Sequence, residues 1–251
     1  MSDRSGLEQI LEAAWGVRDQ RTKRRQRGLS LELIVNAAVH IAATEDLSAV
    51  SMTRVAGDLG VSPMSLYRYV QAKGELLILM ADAICGTPPE PAEPDAGWRA
   101  GLSEWAWGMH RLLREHPWVL RIPITGPPAT PNQVAWLERA LASLAGTPLS
   151  ETEKLSVTML VNGYVRSEAL LFSDVTAAFA GSDSVYEAMS FYSRMLSKLA
   201  SPEQFPAVHA ALSVGGYEEE GGPDDEFVFG LERVLDGIER LVERRSASAD
   251  S

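Results

Sequence analysis

Residues 51–73 read SMTRVAGDLGVSPMSLYRYVQAK, and this stretch of the 251-residue chain decides the fold. Its first half repeats apolar residues at the spacing of one helical face. Gly60 then stands where a left-handed turn favours a residue without a Cβ atom. Ser62 suits the cap of a second helix, and Pro63 suits its first position, where no backbone N–H is needed. The stretch therefore predicts two short helices joined by a tight turn.

The second predicted helix presents a face that suits DNA. Leu66 and Val70 stand one turn apart and predict its buried side. The residues left outward are Met64, Ser65, Tyr67, Arg68 and Tyr69. Serine, arginine and tyrosine donate hydrogen bonds to phosphates and base edges, as a helix in the major groove requires. The alternatives are a solvated hairpin without a DNA role and, for Tyr67 alone, partial packing in the core.

The pattern is larger than this hairpin. From about Leu29 to Cys85 the chain resembles the DNA-binding domain of the TetR family of bacterial transcriptional regulators. The segments that carry the resemblance are IVNAA (34–38), ED (45–46), MTRVA (52–56), LGVS (59–62), LYRYV (66–70) and KGELL (73–77).

The resemblance implies roles for individual residues. Thr53 and Arg54 would lie near the start of the helix that crosses the DNA backbone, and residues 63–65 would approach bases. The implied phosphate contacts are Tyr67, Tyr69 and Lys73. At the start of the next helix, the lysine ammonium can reach a phosphate beside the N-terminal backbone amides. The alternative for this lysine is an exposed side chain without a role.

Charge is distributed unevenly along the chain. The net charge is −11, which by itself argues against a polyanion as partner. Residues 18–73 hold nine Lys or Arg against five Asp or Glu, a balance of +4, whereas residues 74–251 hold 13 basic against 26 acidic residues, a balance of −13. Such segregation is typical of a protein that touches DNA with one end only.

Residues 1–28 form a basic N-terminal extension beyond the family pattern. Apolar residues between Leu7 and Trp15 recur at helical spacing and predict a short helix. Six positive charges follow between Arg18 and Arg27. Because narrow A·T-rich minor grooves attract arginine, we predict that this arm contacts DNA, with a solvated disordered tail as the alternative. The candidate DNA-binding residues are Arg21, Arg24, Arg25, Ser51, Thr53, Arg54, Ser62, Pro63, Met64, Ser65, Tyr67, Arg68, Tyr69 and Lys73.

The proline-rich run GTPPEPAEPDAG at 86–97 cannot continue a helix, and it separates two sets of helices. We predict helices at about 31–44 and 73–84 before it, and at 98–115, 131–145, 151–180, 185–200, 202–212 and 225–244 after it. The sequence carries no convincing β-alternation, so the predicted fold class is all-α. The expected parts are a three-helix domain with a helix-turn-helix (29–73), a larger helical ligand-binding and dimerisation domain (74–245) and a disordered tail (246–251).

Two predicted helices suit contact with a second copy of the chain. The first mixes small, apolar and polar residues: Leu155, Met159, Asn162, Gly163, Arg166 and Leu170. The last is apolar over a broad face: Phe227, Phe229, Leu231, Val234, Leu235, Ile238 and Leu241. In the TetR family two such helices from each subunit form a four-helix interface, and a homodimer matches a palindromic site. The alternative is that both helices are core within one subunit.

The second domain resembles the tetracycline-repressor branch of the family more weakly, through echoes such as HP (116–117), TPNQ (130–133) and FGLER (229–233). That branch binds a planar drug with magnesium. Here Trp105 replaces a pocket amide and the metal-binding histidine falls near Pro123, so we expect no metal, no cofactor and no tetracycline specificity.

What remains is a predicted apolar cavity for a flat hydrophobic molecule, with His110 or Arg166 orienting a polar group. Aromatic and methionine residues at helical spacing also suit plain core, which is the alternative for each of them. The candidate ligand-binding residues are Trp105, Met109, His110, Trp118, Trp136, Met159, Asn162 and Arg166.

These patterns predict a homodimeric, ligand-responsive transcriptional regulator, most simply a repressor released from palindromic operator DNA by a small hydrophobic or aromatic molecule. The alternatives are a helical ligand-binding protein that has lost operator recognition, and an enzyme. Four histidines without metal-ligand spacing, no phosphate loop and no nucleophile elbow argue against an enzyme. With no signal peptide and no apolar run near 18 residues, we expect a cytoplasmic protein without membrane contact. Cys85 suits a small buried hydrophobe better than a redox sensor.

Overall fold

A computed structural model describes residues 4–16, 29–90, 96–179, 185–213, 222 and 224–249. These residues form α-helices, two 3-10 helices (Leu47–Ala49 and Pro117–Arg121) and no strand, which confirms the all-α prediction. The α-helices are α1 (Arg4–Ala14), α2 (Leu31–Thr44), α3 (Met52–Asp58), α4 (Pro63–Leu66), α5 (Lys73–Cys85), α6 (Gly97–Glu115), α7 (Pro131–Ser143), α8 (Glu151–Ala178), α9 (Val185–Leu199), α10 (Pro206–Ser213) and α11 (Asp225–Ala249).

Residues 29–73 form the unit that we call the head. Its helices begin at serine caps: the Ser30 hydroxyl accepts from the Leu33 N–H at 3.1 Å, and the Ser51 hydroxyl accepts from the Arg54 N–H at 3.1 Å. Gly60 has φ +65° and turns the chain from α3 into α4. The fully buried side chains around this turn are Ile34, Ala38, Val55, Leu66 and Val70.

The second domain is a helical bundle in which α6 packs against α7, α8 and α11. Two glycines of α6, seven residues apart, allow α7 to approach closely. A Cβ atom at Gly101 would lie 2.8 Å from the Ser143 Cβ, and one at Gly108 would lie 3.0 Å from the Trp136 ring. Larger residues at these positions would therefore push α7 away from α6.

Helix α5 belongs to both parts of the molecule, because it packs against α2 in the head and against α7 in the second domain. Its side chains Leu76 and Met80 are fully buried, and Leu79 is nearly so. A helix that packs against both parts provides a physical connection between them, and its bounds agree with the helix predicted at about 73–84.

The helix boundaries agree with the prediction to within a few residues, with two exceptions. Helix α10 begins at Pro206 and not near Pro202, because the chain first makes a tight turn in which the Phe205 N–H donates to the Ser201 carbonyl at 2.9 Å. Helix α11 runs to Ala249 and not to Arg244, so the prediction of a disordered tail from 246 is wrong for residues 246–249.

Part of the predicted dimer surface lies inside the subunit. Four residues of α11 are buried against the rest of the chain and form core: Phe227, Leu231, Leu235 and Ile238. Other apolar residues of α8 and α11 are exposed: Leu155, Met159, Leu160, Leu171, Val228 and Phe229. Each helix therefore has a face buried in its own subunit and an apolar face in contact with solvent.

Candidate DNA-binding surface and ligand cleft

The exposed face of α4 lies directly over its buried face. Leu66 is fully buried, whereas the adjacent Tyr67 is 45% exposed and Met64 is 75% exposed. The side chain of Arg68 is also exposed. Proline at the first position and a buried leucine one turn later orient this short helix, so these outward side chains follow from the local sequence as predicted.

Other predicted DNA contacts surround this face. Ser65 is half-buried, and its hydroxyl lies 3.0 Å from that of Ser62. Lys73 is the first residue of α5 and is exposed there. The predicted residues that are exposed in the head are Ser51, Thr53, Arg54, Ser62, Pro63, Met64, Tyr67, Arg68 and Lys73.

Two residues predicted to contact DNA already have polar partners within the chain. Tyr69 is half-buried and its hydroxyl donates to the Leu29 carbonyl at 3.0 Å, so its predicted outward orientation is wrong. The tyrosine ties the end of the α4 segment to the start of the head. The Arg54 guanidinium pairs with the carboxylates of Glu45 at 2.5 Å and Asp58 at 3.5 Å. DNA would have to compete with these two carboxylates for the arginine.

The N-terminal extension begins with the helix that the spacing predicted, and that helix lies against the second domain. Ala13 of α1 is buried, and the Trp15 indole N–H donates to the Ala129 carbonyl at 2.9 Å. The predicted DNA contacts Arg21, Arg24 and Arg25 lie outside the described residues.

An open cleft of about 480 Å³ lies between α6, α7 and the segment at Pro89. Two predicted ligand residues, Trp105 and Trp136, form part of its wall, and their rings meet edge to face with centroids 6.2 Å apart. The Trp105 indole N–H donates to the Trp136 carbonyl at 2.8 Å. Residues that the sequence did not single out complete the lining: Pro89, Glu90, Ser103, Glu104, Trp107, Arg111 and Arg139.

The other six predicted ligand residues do not line this cleft. Met109 and Trp118 are buried in the core, and Met159 is 69% exposed on α8, so none of the three lines this cleft. Asn162 and Arg166 are half-buried on α8, and Arg166 lies near Cys85. Helical spacing indicates which residues of one helix share a face, but it does not show which other helix packs against that face.

His110 is buried within a group of charged residues. Its Nε2 lies 3.6 Å from the Glu168 carboxylate and 3.8 Å from the Asp224 carboxylate. Burial lowers the pKa of His110 to about 4, and the nearby Arg114 cation acts in the same direction. Burial also raises the pKa of Glu168 above its usual value. The imidazole is therefore neutral at physiological pH.

Hydrogen bonds join the C-terminal end of α5 to α7. The Asp82 carboxylate, 8% exposed, accepts from the backbone N–H groups of Asn132 at 2.9 Å and Gln133 at 3.2 Å, which caps the start of α7. In return the Trp136 indole N–H donates to the carbonyls of Cys85 at 2.9 Å and Gly86 at 3.2 Å, at the end of α5. We call these contacts the α5–α7 latch.

The sequence is similar to known regulators along nearly all of its length. Residues 90–242 match the family described as "Tetracyclin repressor-like, C-terminal domain". The chain belongs to the TetR family. It is 37% identical over 248 residues to the HTH-type transcriptional repressor DrrR1 of Streptomyces coeruleorubidus, which covers 97% of this chain and 90% of that protein. An HTH-type transcriptional regulator of Saccharopolyspora erythraea is 31% identical over 153 residues, 61% of this chain and 64% of that protein.

A solved structure shares the TetR fold with this chain. The TetR family protein ActR of Streptomyces coelicolor, in complex with actinorhodin, superposes with a TM-score of 0.71 at 27% identity, over 85% of this chain and 98% of that one. The fold, the matched family and the relatives agree that this TetR-family chain is a DNA-binding transcriptional regulator and not an enzyme.

In the part of the chain that is described, no group of three or more His, Cys, Asp or Glu side chains is placed to hold a metal ion. No described helix combines the length and the apolar character that a membrane span needs. Burial raises the pKa of the Cys85 thiol to about 11, so the thiol stays protonated at neutral pH, which favours a packing role for this cysteine.

Proposed function

We propose that this regulator is a homodimeric repressor and that a small, flat aromatic molecule releases it from a palindromic operator. The observation that carries the DNA-binding part is the exposed face of α4, where Met64, Tyr67 and Arg68 point outward above the buried Leu66. DrrR1, an HTH-type transcriptional repressor, supports repression, and ActR, which was solved in complex with actinorhodin, supports a small-molecule ligand. The tryptophan walls of the cleft, Trp105 and Trp136, support a flat aromatic one. A protein that acts on operator DNA works in the cytoplasm.

In this proposal, different exposed residues of the head contact different parts of the DNA. Pro63, Met64 and Ser65 at the start of α4 approach base edges in the major groove, since the first residues of a recognition helix enter the groove. Tyr67 and Lys73 hold phosphates on either side. The basic segment with Arg21, Arg24 and Arg25 reaches the adjacent minor groove.

A second copy of the chain covers the apolar faces that are exposed in one subunit. The exposed Leu155, Leu160 and Leu171 run along α8, and Val228 and Phe229 extend the apolar surface onto α11. Several large apolar side chains exposed on neighbouring helices favour a protein contact. Helix α9 supports the same conclusion, because it buries Ser190 and Ser193 and exposes Phe191, Met195 and Leu199. A two-fold symmetric pair places two heads on the two halves of a palindrome.

Release requires that the ligand favours one arrangement of the heads over another. The α5–α7 latch supplies a physical connection, because Trp136 is both a wall of the cleft and a hydrogen-bond donor to the end of α5. A ligand that moves the Trp136 ring changes the hold on α5, and α5 carries Lys73 at its other end. The spacing of the two heads then no longer fits the operator. A coupling of about 1–3 kcal/mol is typical of such switches.

The test is a selection of bound fragments from random duplex DNA at near-physiological salt, with the full-length wild type and two variants. We expect the wild type to enrich a palindrome. Lys73→Ala should bind the same palindrome more weakly, and the triple variant Arg21→Ala, Arg24→Ala, Arg25→Ala should lose preference for flanking A·T pairs.

Failure to enrich any sequence, with folded and ligand-free protein, would contradict operator recognition. That result would favour a helical ligand-binding protein that has lost its operator. An enriched site without two-fold symmetry would contradict the dimeric arrangement of the heads. An unchanged flanking preference in the triple variant would remove the basic segment from the DNA contacts.

A further inference from the structure

The N-terminal helix α1 docks on the second domain through a small contact. Ala13 is the only described side chain of α1 that is buried, and Ala14 packs against the hydrophobic core. The Trp15 indole N–H donates to the Ala129 carbonyl at 2.9 Å, while the Trp15 side chain is 52% exposed. Alanine side chains bury little apolar area, so a contact of this size opens far more readily than the core of the domain.

The basic segment, residues 17–28, connects two residues that are held in different parts of the molecule. Gly16, with φ +68°, ends the docked helix, and its N–H donates to the Ala13 carbonyl at 3.1 Å. Beyond the segment, the Leu29 carbonyl accepts from the Tyr69 hydroxyl of the head at 3.0 Å. The twelve residues between them include six Lys or Arg and one Asp. One anchor of the basic segment therefore lies on the second domain and the other on the head.

Two anchors restrict what such a segment can reach. An extended chain spans at most about 3.6 Å per residue, so twelve residues held at one end reach about 43 Å. When both ends are held, no residue lies further than about half that distance from the nearer anchor. The docked helix also ties one end of this positive segment to a domain in which residues 74–251 hold 13 basic against 26 acidic residues. Both effects compete with DNA for the basic segment.

We propose that docked α1 restrains the basic segment, and that α1 leaves the second domain when this segment enters the minor groove beside the operator. This inference rests on the proposed DNA contact of the basic segment and names how that contact is regulated. DNA binding has to open the α1 contact, so the docked fraction lowers the observed affinity. If α1 is docked in about nine molecules of ten, its release raises the affinity about tenfold.

The test uses full-length protein and the palindrome that the wild type enriches, flanked either by A·T or by G·C pairs. Ala13→Gln places a larger polar side chain in the buried contact and keeps a residue that favours helix. We expect it to bind the A·T-flanked probe about tenfold more tightly than the wild type does, with a smaller gain on the G·C-flanked probe. Trp15→Phe removes the N–H donor and keeps an aromatic ring, so its gain should be about threefold.

Two controls and a second measurement isolate the cause. Glu8→Asp changes an exposed residue of α1 without changing its charge, so it should bind as the wild type does. In a protein that already carries Arg21→Ala, Arg24→Ala and Arg25→Ala, Ala13→Gln should give no gain, because the segment lacks the arginines that enter the groove. Hydrogen exchange of α1 measures the release directly. It should be faster in Ala13→Gln than in the wild type, and it should rise in the wild type when the A·T-flanked probe is added.

The proposal is overturned if Ala13→Gln binds the A·T-flanked probe no more tightly than the wild type, or if the gain persists without the three arginines. It is also overturned if Ala13→Gln does not speed hydrogen exchange of α1, or if the probe leaves that exchange unchanged or slows it in the wild type. When the wild type enriches a palindrome, any of these results leaves the regulator standing and removes only the restraint by α1. If the wild type enriches no sequence, operator recognition and its regulation by α1 fall together.

Discussion

The head and the second domain place their candidate functional residues in opposite ways. In the head, polar candidates such as Tyr67 and Lys73 lie outside, and one stretch of 23 residues, 51–73, contains nearly all of them. In the second domain, His110, Glu168 and Asp224 meet from distant parts of the chain and are partly or fully buried. A surface that meets a large partner can be built locally, whereas an interior site for a small molecule needs several helices packed together.

The largest effect should come from the inner face of the head. Leu66 is fully buried and Met64, on the same short helix, is 75% exposed. Leu66→Ala should lower the free energy of unfolding by about 2–5 kcal/mol, because it leaves a cavity in the core. Met64→Ala should change stability by less than about 0.5 kcal/mol and weaken DNA binding. Urea unfolding and a DNA titration measure the two properties separately.

One result would contradict the separation of α4 into a buried face and a DNA-binding face. If Met64→Ala destabilised the head as much as Leu66→Ala, the outer face of α4 would be part of the core. The separation between a packing face and a DNA-binding face would then be wrong.

The next effect concerns the α5–α7 latch. Asp82→Ala removes the acceptor for the N–H groups of Asn132 and Gln133, so we expect a loss of about 2 kcal/mol in the free energy of unfolding. Asp82→Asn, which keeps one side-chain acceptor, should lose less. Urea unfolding of both variants measures this order. Equal losses would show that the charge of the carboxylate, and not its hydrogen bonds, holds the latch.

A smaller effect follows from the buried histidine. Burial holds the pKa of His110 at about 4, below its value of about 6.5 in an unfolded chain. Between these values the unfolded chain binds more protons, so stability falls as the pH drops from about 6.5 to 4. From pH 7 to pH 5 the wild type should lose about 1–2 kcal/mol more than His110→Gln, measured by urea unfolding at both pH values. The same loss in both proteins would mean that folding does not lower the pKa of His110.

We expect the smallest effects from substitutions on the surface of the head. These substitutions distinguish its phosphate contacts from its base contacts. Lys73→Ala should weaken binding to every DNA sequence by about tenfold or less and reduce the slope of log affinity against log salt by about one. Ser65→Ala should leave that slope unchanged and alter base preference. Titrations at several salt concentrations on two operator variants would separate the two. A changed salt slope in Ser65→Ala would assign it to a phosphate.

Prediction from sequence was accurate where the determinants are local. The caps at Ser30 and Ser51, the turn at Gly60 and the buried Leu66 are as expected, and so is the short helix that ends before Trp15. The outward orientation predicted for Tyr69 is wrong, because helical spacing gives the side on which a residue lies, and not whether a carbonyl 40 residues away accepts its hydroxyl.

The second domain shows more clearly what the sequence pattern cannot predict. Trp105 and Trp136 were expected at a ligand site and line the cleft, but Met159 was expected there and lies on the surface. Trp107 lies two residues from Trp105 and was not singled out. The apolar pattern of α6 shows that it is buried on one side, yet the direction of each tryptophan depends on how α7, α8 and α11 pack around it.

The sequence by itself determined the family, the helix-turn-helix and the segregation of charge, because caps, turn glycines, helical spacing and net charge act over short stretches of chain. Only the tertiary structure decided the cleft, the α5–α7 latch and the burial of His110 beside Glu168. These features depend on contacts between helices that lie far apart in sequence, and on the two glycines of α6 that let α7 approach. Packing, and not local propensity, determines which distant side chains meet.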